Sequence, residues 1–258
     1  MSRLAPALRA TAALTAMELR LTARRGENVL VTLIIPVAVL LFFAGTSIVP
    51  GIGRDPVSFL LPGSIALAII AAGLVNLGIA TAYERAYGVL KRLGGAPLPR
   101  WGLVGAKVSA ILVLEIVQVG VLVAVAALLL HWAPGPAWSP ILVVVAVVLG
   151  TLAFAGLGLL LAGTLRAEAT LALANGLFLG FLMLGGIVLP VDHLPAFLQP
   201  IAAVLPATAL ADLLRIAFDA TPGAVPGAGA TSPAGPAALL GAWGVVATGL
   251  AIWRFRWD

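Results

Sequence analysis

Six long apolar runs, separated by short polar or proline-rich pieces, dominate the chain: Val29–Val49, Phe59–Ala82, Leu103–Leu130, Ile141–Leu165, Thr170–Leu189 and Ala237–Trp253. At about 1.5 Å per residue each approaches or exceeds the ~30 Å of a bilayer's hydrocarbon core, the last with least to spare. The pattern predicts an all-α integral membrane protein of six transmembrane helices, a single domain over residues 1–258. Pro36 is expected to kink the first crossing, because it removes a backbone donor and crowds the preceding turn.

The polar intervals carry the remaining elements. Residues 1–27 hold Arg3, Arg9, Arg20, Arg24 and Arg25. On a helical wheel Arg9, Arg20 and Glu27 project together, with Leu4, Leu8 and Leu19 opposite. This predicts a helix lying along the membrane surface, with Glu18 and Arg25 out of pattern. The apolar run that follows is too long for a signal-peptide core and precedes no small-x-small cleavage site, so the segment is expected to be retained. Between the second and third runs, residues 83–100 (YERAYGVLKRLGGAPLPR) read as a short amphipathic helix. Tyr83, Ala86, Tyr87, Leu90 and Leu93 lie on one side, and Glu84, Arg85, Gly88, Lys91 and Arg92 on the other. Gly94, Gly95, Pro97 and Pro99 end it. Such a helix either anchors its neighbours at the surface or meets a soluble partner. In residues 190–219, Pro190, Pro195, Pro200 and Pro206 cut an apolar stretch into pieces too short to cross, which predicts re-entrant or interfacial helices. Residues 220–236 read as a flexible Gly/Pro/Ala linker.

Composition sharpens the class. Only 10% of residues are charged and 62% are hydrophobic, against about a quarter charged in soluble domains, so the chain belongs in a membrane. There is no cysteine, and the two histidines, His131 and His193, lie far apart, which leaves no thiolate or histidine metal site to propose. The net charge of +5 follows topology rather than nucleic acid. With the N-terminus inside, and Lys107 counted with the 83–100 loop, only Arg54 and Arg215 of the fifteen Lys and Arg fall outside. Both termini and the 83–100 loop are therefore expected in the cytoplasm, and the chain in the plasma membrane.

A few polar residues fall inside the spans. Glu115 lies about 12 Å along the third helix from Lys107, with Gln118 one turn further on; Asn76 and Lys107 are candidate partners. Glu115 either senses a cation or relays protons, or it is a hydrogen-bonded strut; the lack of a second deep carboxylate favours the strut. Asn76 and Asn175 suit inter-helix hydrogen bonds, and Gly176-x-x-x-Gly180 permits close helix contact, within the chain or at a dimer seam. Asp212, Arg215 and Asp219 share a helical face and suit an ion-pair row or a solvated outer surface. Asp192 and Thr208 read as helix N-caps, and Trp132 and Trp138 as interfacial aromatics.

Three features together resemble the permease subunit of type-2 ABC exporters, the group that includes the daunorubicin-resistance permeases. They are the surface helix before the first span, the loop ERAYGVLKRLGGAPLPRW, and the stretch GGIVLPVDHLPAFLQPIAAVLPATALADLLRIAF between spans five and six. The resemblance implies that the 83–100 loop is a coupling helix docking on a cytosolic ATPase, with Glu84, Arg85, Gly88, Lys91 and Arg92 at the contact. It also implies that residues 190–219, with Pro190, Pro195, Pro206, Asp212 and Arg215, form re-entrant helices capping the outer side. The chain has no GxxxxGK[ST] loop to cradle a nucleotide. No catalytic residue, cofactor or metal is therefore expected on it, and ATP and Mg²⁺ are expected on two partner ATPase subunits. A second permease subunit, identical or not, and membrane lipid complete the implied partners. The cargo would be a hydrophobic or amphiphilic compound such as a drug, lipid or glycolipid. Two other readings remain: an ion-coupled secondary transporter centred on Glu115, and a membrane-embedded enzyme. The enzyme reading is weakened by the lack of clustered acidic residues that Mg²⁺ would need.

Overall fold

A computed structural model describes residues 4–24, 26–45, 56–93, 99–219 and 232–255. Among the described residues every regular element is helical. An N-terminal helix α1 (Leu4–Arg24) is followed by α2 (Gly26–Ala44), which contains Pro36. Glu27 therefore belongs to the second helix and not to the wheel predicted for residues 1–27. The apolar part of α2 that can be described is Thr32–Ala44, and residues 46–49 of the predicted first span lie outside the described residues.

Among the described residues five helices are long and apolar enough to cross a membrane. The second predicted span is a continuous 31-residue rod, Pro56–Ala86, built from α3 (Pro56–Ile70), a π-helical stretch Ala71–Leu77, and α4 (Gly78–Ala86). Then come α5 (Val89–Leu93), α6 (Arg100–Leu129), α7 (Pro140–Thr164), α8 (Ala167–Leu184), the short α9 (Gln199–Ala203) and α10 (Pro206–Ala217), and α11 (Ala234–Arg254). The starts of α6 and α7 follow ordinary rules: Pro99 is extended before α6, and Ser139 caps α7 by accepting from Leu142 N. Helix α8 ends five residues before the predicted Leu189, because Gly185 and Gly186 (φ +65°) turn the chain away. Most of the predicted linker, residues 220–231, lies outside the described residues.

The rod Pro56–Ala86 is the most enclosed of the five membrane-length helices. Its contact with α7 is made backbone to backbone. A Cβ on Gly158 would lie 2.5 Å from Gly73 O, and one on Gly73 would lie 2.8 Å from Ala155 N. On its other face α7 meets α11 in the same way, with a Cβ on Gly156 falling 2.7 Å from Thr248 N and Thr248 Oγ1 donating to Leu152 O at 2.9 Å. Small residues let helices approach this closely, and dispersion then acts along the whole seam. The glycines singled out by spacing behave differently: Gly176 and Gly180 have open space where a Cβ would point.

The two ends of the bundle differ. One end gathers α1, the end of α4, α5, the start of α6 and the end of α11. At the other end, the loop after α6 is fastened to α10. His131 adopts φ +54°, allowing Trp132 N to reach Ala126 O at 3.1 Å. Ser139 N then donates to Ala217 O at 2.7 Å, and Ala137 N to Asp219 Oδ2 at 3.0 Å. Trp132 is buried rather than interfacial, its Nε1 donating to Ser58 Oγ at 2.9 Å and its ring edge-on to Phe218. Trp138 is exposed, as expected of an interfacial residue.

Candidate coupling site

The 83–93 segment is not one helix. It breaks at Tyr87–Gly88, where Gly88 takes φ +73°, a conformation that glycine adopts without steric cost. The one-sided wheel breaks with it. Glu84 and Arg85 end the transmembrane rod and turn into the protein, whereas Lys91 and Arg92 on α5 are exposed. Residues 94–98 lie outside the described residues.

Glu84 belongs to a charge triad. Lys107, seven residues into α6 and buried, donates to Glu84 Oε2 at 2.8 Å and to Glu18 Oε1 at 2.7 Å. Three elements far apart in sequence thus meet on one ammonium group: the N-terminal helix, the end of the rod and the head of α6. A fully buried lysine is tolerated only when its charge is paired and its donors are used. Glu18, the residue that spoiled the amphipathic pattern of α1, supplies the second partner. Beside the triad, Leu14, Leu90, Leu103, Ala106 and Phe255 form a small separate core, which ties α5 to α1, α6 and the chain's C-terminal end. Arg85 reaches across to donate to the Leu165 carbonyl between α7 and α8. The cytoplasm-predicted loop is thereby wired to almost every helix that ends nearby.

Within the spans, Glu115 is buried and pairs neither with Lys107 nor with Asn76. Its Oε2 meets the Thr151 hydroxyl on α7, which also lies 2.7 Å from Val147 O. Gln118 Nε2 donates to Thr32 Oγ1 of α2 at 3.1 Å. Asn76 sits half-buried in the π-helical stretch, and Asn175 bonds its own helix at Leu171 O. Lys107 is eight residues from Glu115, about 12 Å along the axis, and it is held at the other end of that interval by Glu18 and Glu84.

The prolines of the 190–219 stretch act as punctuation. Pro190 precedes a 3₁₀ turn (Val191–His193), exposed Pro195 lies in the connection that follows, and Pro206 opens α10. At 12 residues α10 is too short to cross, and it packs against α3, α7 and α11. Arg215 is buried: it pairs with Asp212 at 3.2 Å, donates to the Gly186 carbonyl, and lies 4.1 Å from the centre of the Phe59 ring. It pins the turn after α8 to the start of the rod and is no solvated outer residue. Burial pushes the Asp212 carboxyl above its ordinary range, while the Arg215 guanidinium works against that rise. Asp219 is not in the ion pair and instead holds the 131–139 loop. Neither proposed N-cap is one: Asp192 lies inside the 3₁₀ turn, and the Thr208 hydroxyl, inside α10, donates to Ala202 O at 2.6 Å.

Among the described residues no group of three or more His, Cys, Asp or Glu is arranged to hold a metal ion. What the described residues define is a helical membrane protein with a polar junction at one end. The chain belongs to the ABC-2 type transporter family, whose model matches residues 9–218. It is also similar to the linearmycin resistance permease protein LnrN of Bacillus subtilis (strain 168), 35% identical over 124 residues. That match takes in 47% of this chain and 31% of the relative's length.

Proposed function

We propose that this chain is the permease subunit of an ATP-driven exporter whose hydrolysis takes place in a separate pair of cytosolic ATPase subunits, which carry the ATP and Mg²⁺. The family match over residues 9–218 is the observation that carries this reading. The build of the 83–93 turn supports it: two exposed cations, Lys91 and Arg92, stand on a short helix whose Leu90 is seated in a core shared with α1 and α6. A partner pressing on that turn moves three elements together, as a coupling contact requires, and exposed charge sets register against a complementary surface. Glu84 and Arg85 then brace the contact from behind, and Gly88 provides the turn. The termini lie in the cytoplasm, a second permease subunit completes the pathway, and residues 190–219 cap its outer side. The cargo is hydrophobic or amphiphilic, of the drug, lipid or glycolipid kind, since the bundle interior has few polar side chains. The relative's name, a linearmycin resistance permease, supports a cargo of the drug kind.

The test is co-purification with the ATPase subunit followed by Lys91→Glu/Arg92→Glu, which reverses the exposed charge and leaves the Lys107 triad intact. Substrate-stimulated hydrolysis is expected to fall at least tenfold while the complex's basal hydrolysis persists. Unchanged stimulation sinks the coupling assignment. Transport that survives without any ATPase, collapses with the ion gradient and is abolished by Glu115→Gln establishes the ion-coupled alternative instead.

A further inference from the structure

At the charged end of the bundle, α6 begins where α11 ends, and two arginines converge there on one tryptophan. Arg100 donates to the Trp253 carbonyl at 3.4 Å, and the Arg254 guanidinium lies 4.7 Å from the centre of the Trp253 ring. Both arginines are exposed, as are Trp101 (40%) and Trp253 (66%). Among the described residues neither guanidinium has a carboxylate partner: the ion pairs there are made by Lys107, His193 and Arg215. The 30-residue α6 opens beside them, its Gly102 and Leu103 amides bonded to the Pro99 carbonyl and no side chain capping its first turn.

Two cations without a carboxylate partner among the described residues, flanked by two exposed indoles where two membrane-length helices end, call for an anion with an apolar tail. We propose that Arg100 and Arg254, both held by Trp253, form a binding site for the headgroup of an anionic phospholipid, with Trp101 lying along its glycerol region. Arginine matches a phosphodiester through paired N–H donors, and indoles prefer the interfacial zone where the glycerol backbone sits. The bridge between helix ends makes the site more than a diffuse basic rim, because Arg100 is held in place by the same residue on which Arg254 stacks. The site owes nothing to the ATPase reading and stands or falls without it.

The full-length protein, purified in neutral detergent, is titrated with phosphatidylglycerol and with phosphatidylcholine of matched chains, and bound lipids are counted by native mass spectrometry. A saturable first phosphatidylglycerol is expected, preferred over phosphatidylcholine. Arg100→Gln or Arg254→Gln weakens it about fivefold, and the pair about twenty-five-fold. Phosphatidylcholine counts stay unchanged, which reports an intact bundle. The Arg100→Lys/Arg254→Lys protein keeps the charge and holds the preference to within about threefold. Equal binding of the two lipids, a preference retained by the double glutamine variant, or a preference lost in the double lysine variant overturns the proposal. So does displacement of the lipid by millimolar inorganic phosphate, which marks an ion site without lipid.

Discussion

Replacing Lys107 with methionine removes one ammonium and leaves two carboxylates facing each other in the junction beneath the 83–93 turn. The lost contacts are two charge-assisted hydrogen bonds of 2.7 and 2.8 Å, each worth about 1.5–3 kcal/mol. Glu18 and Glu84 keep 13% and 19% of their side-chain surface exposed, so part of their charge regains water and the loss falls toward the low end, ~3 kcal/mol. That is a factor of about 150 in the folding equilibrium. In a chain of this size it corresponds to a thermal midpoint about 6–12 °C lower, by the scaling for soluble domains. Intrinsic tryptophan fluorescence in detergent reads the midpoint. The decisive comparison is Glu18→Gln/Glu84→Gln/Lys107→Met, which removes every charge at once. Because most of the penalty is the abandoned carboxylates, the triple variant is expected to recover at least half the loss. A single variant that melts with the wild type, or a triple variant that melts as low as the single, refutes the reasoning.

The glycine seam gives a second measurement. Gly158→Ala puts a methyl group 2.5 Å from Gly73 O and is expected to cost ~2 kcal/mol by overpacking, whereas Gly120→Ala, inside α6 with open space around it, leaves the melting midpoint unchanged or slightly raised, since alanine favours the helix. Arg215→Met strands Asp212 and frees the Gly186 carbonyl, so limited proteolysis is expected to cut within residues 187–198 several-fold faster than in wild type. Arg215→Lys, which loses the ring contact and the second donor, falls between the two.

Five of the six predicted crossings were legible because each needs only length and apolarity, and these survive any packing. The start of α6 and α7 and the proline-cut stretch before α11 were legible for the same local reason. The junction was not. Lys107 and Glu18 both stood out, one as a cation inside a span and the other as an acid on the wrong face of a surface helix. Their partnership spans 89 residues of chain, and no period within either segment reports it. Spacing alone offers Glu115 the partners Lys107 and Asn76, yet its partner is Thr151, a residue type that apolar helices carry without signal. The wheel over 83–93 failed at Gly88, where a single left-handed residue resets the angular count for everything after it. GxxxG spacing led to Gly176 and Gly180, while the glycines that matter, Gly73, Gly156 and Gly158, face partners on other helices and share no such repeat with them.

The backbone-to-backbone seam that joins Pro56–Ala86, α7 and α11 has no side chains to repack, so these three helices have little freedom to slide past one another without separating. Any rearrangement in such a molecule is expected to spare this rigid spine and to be carried by what is held more loosely. Helix α8 fits that description: Leu171, Leu173, Leu177, Leu179 and Met183 face outward, and its two spaced glycines touch nothing. Of the crossings, the fifth is therefore expected to shift most readily, against a keel that stays still.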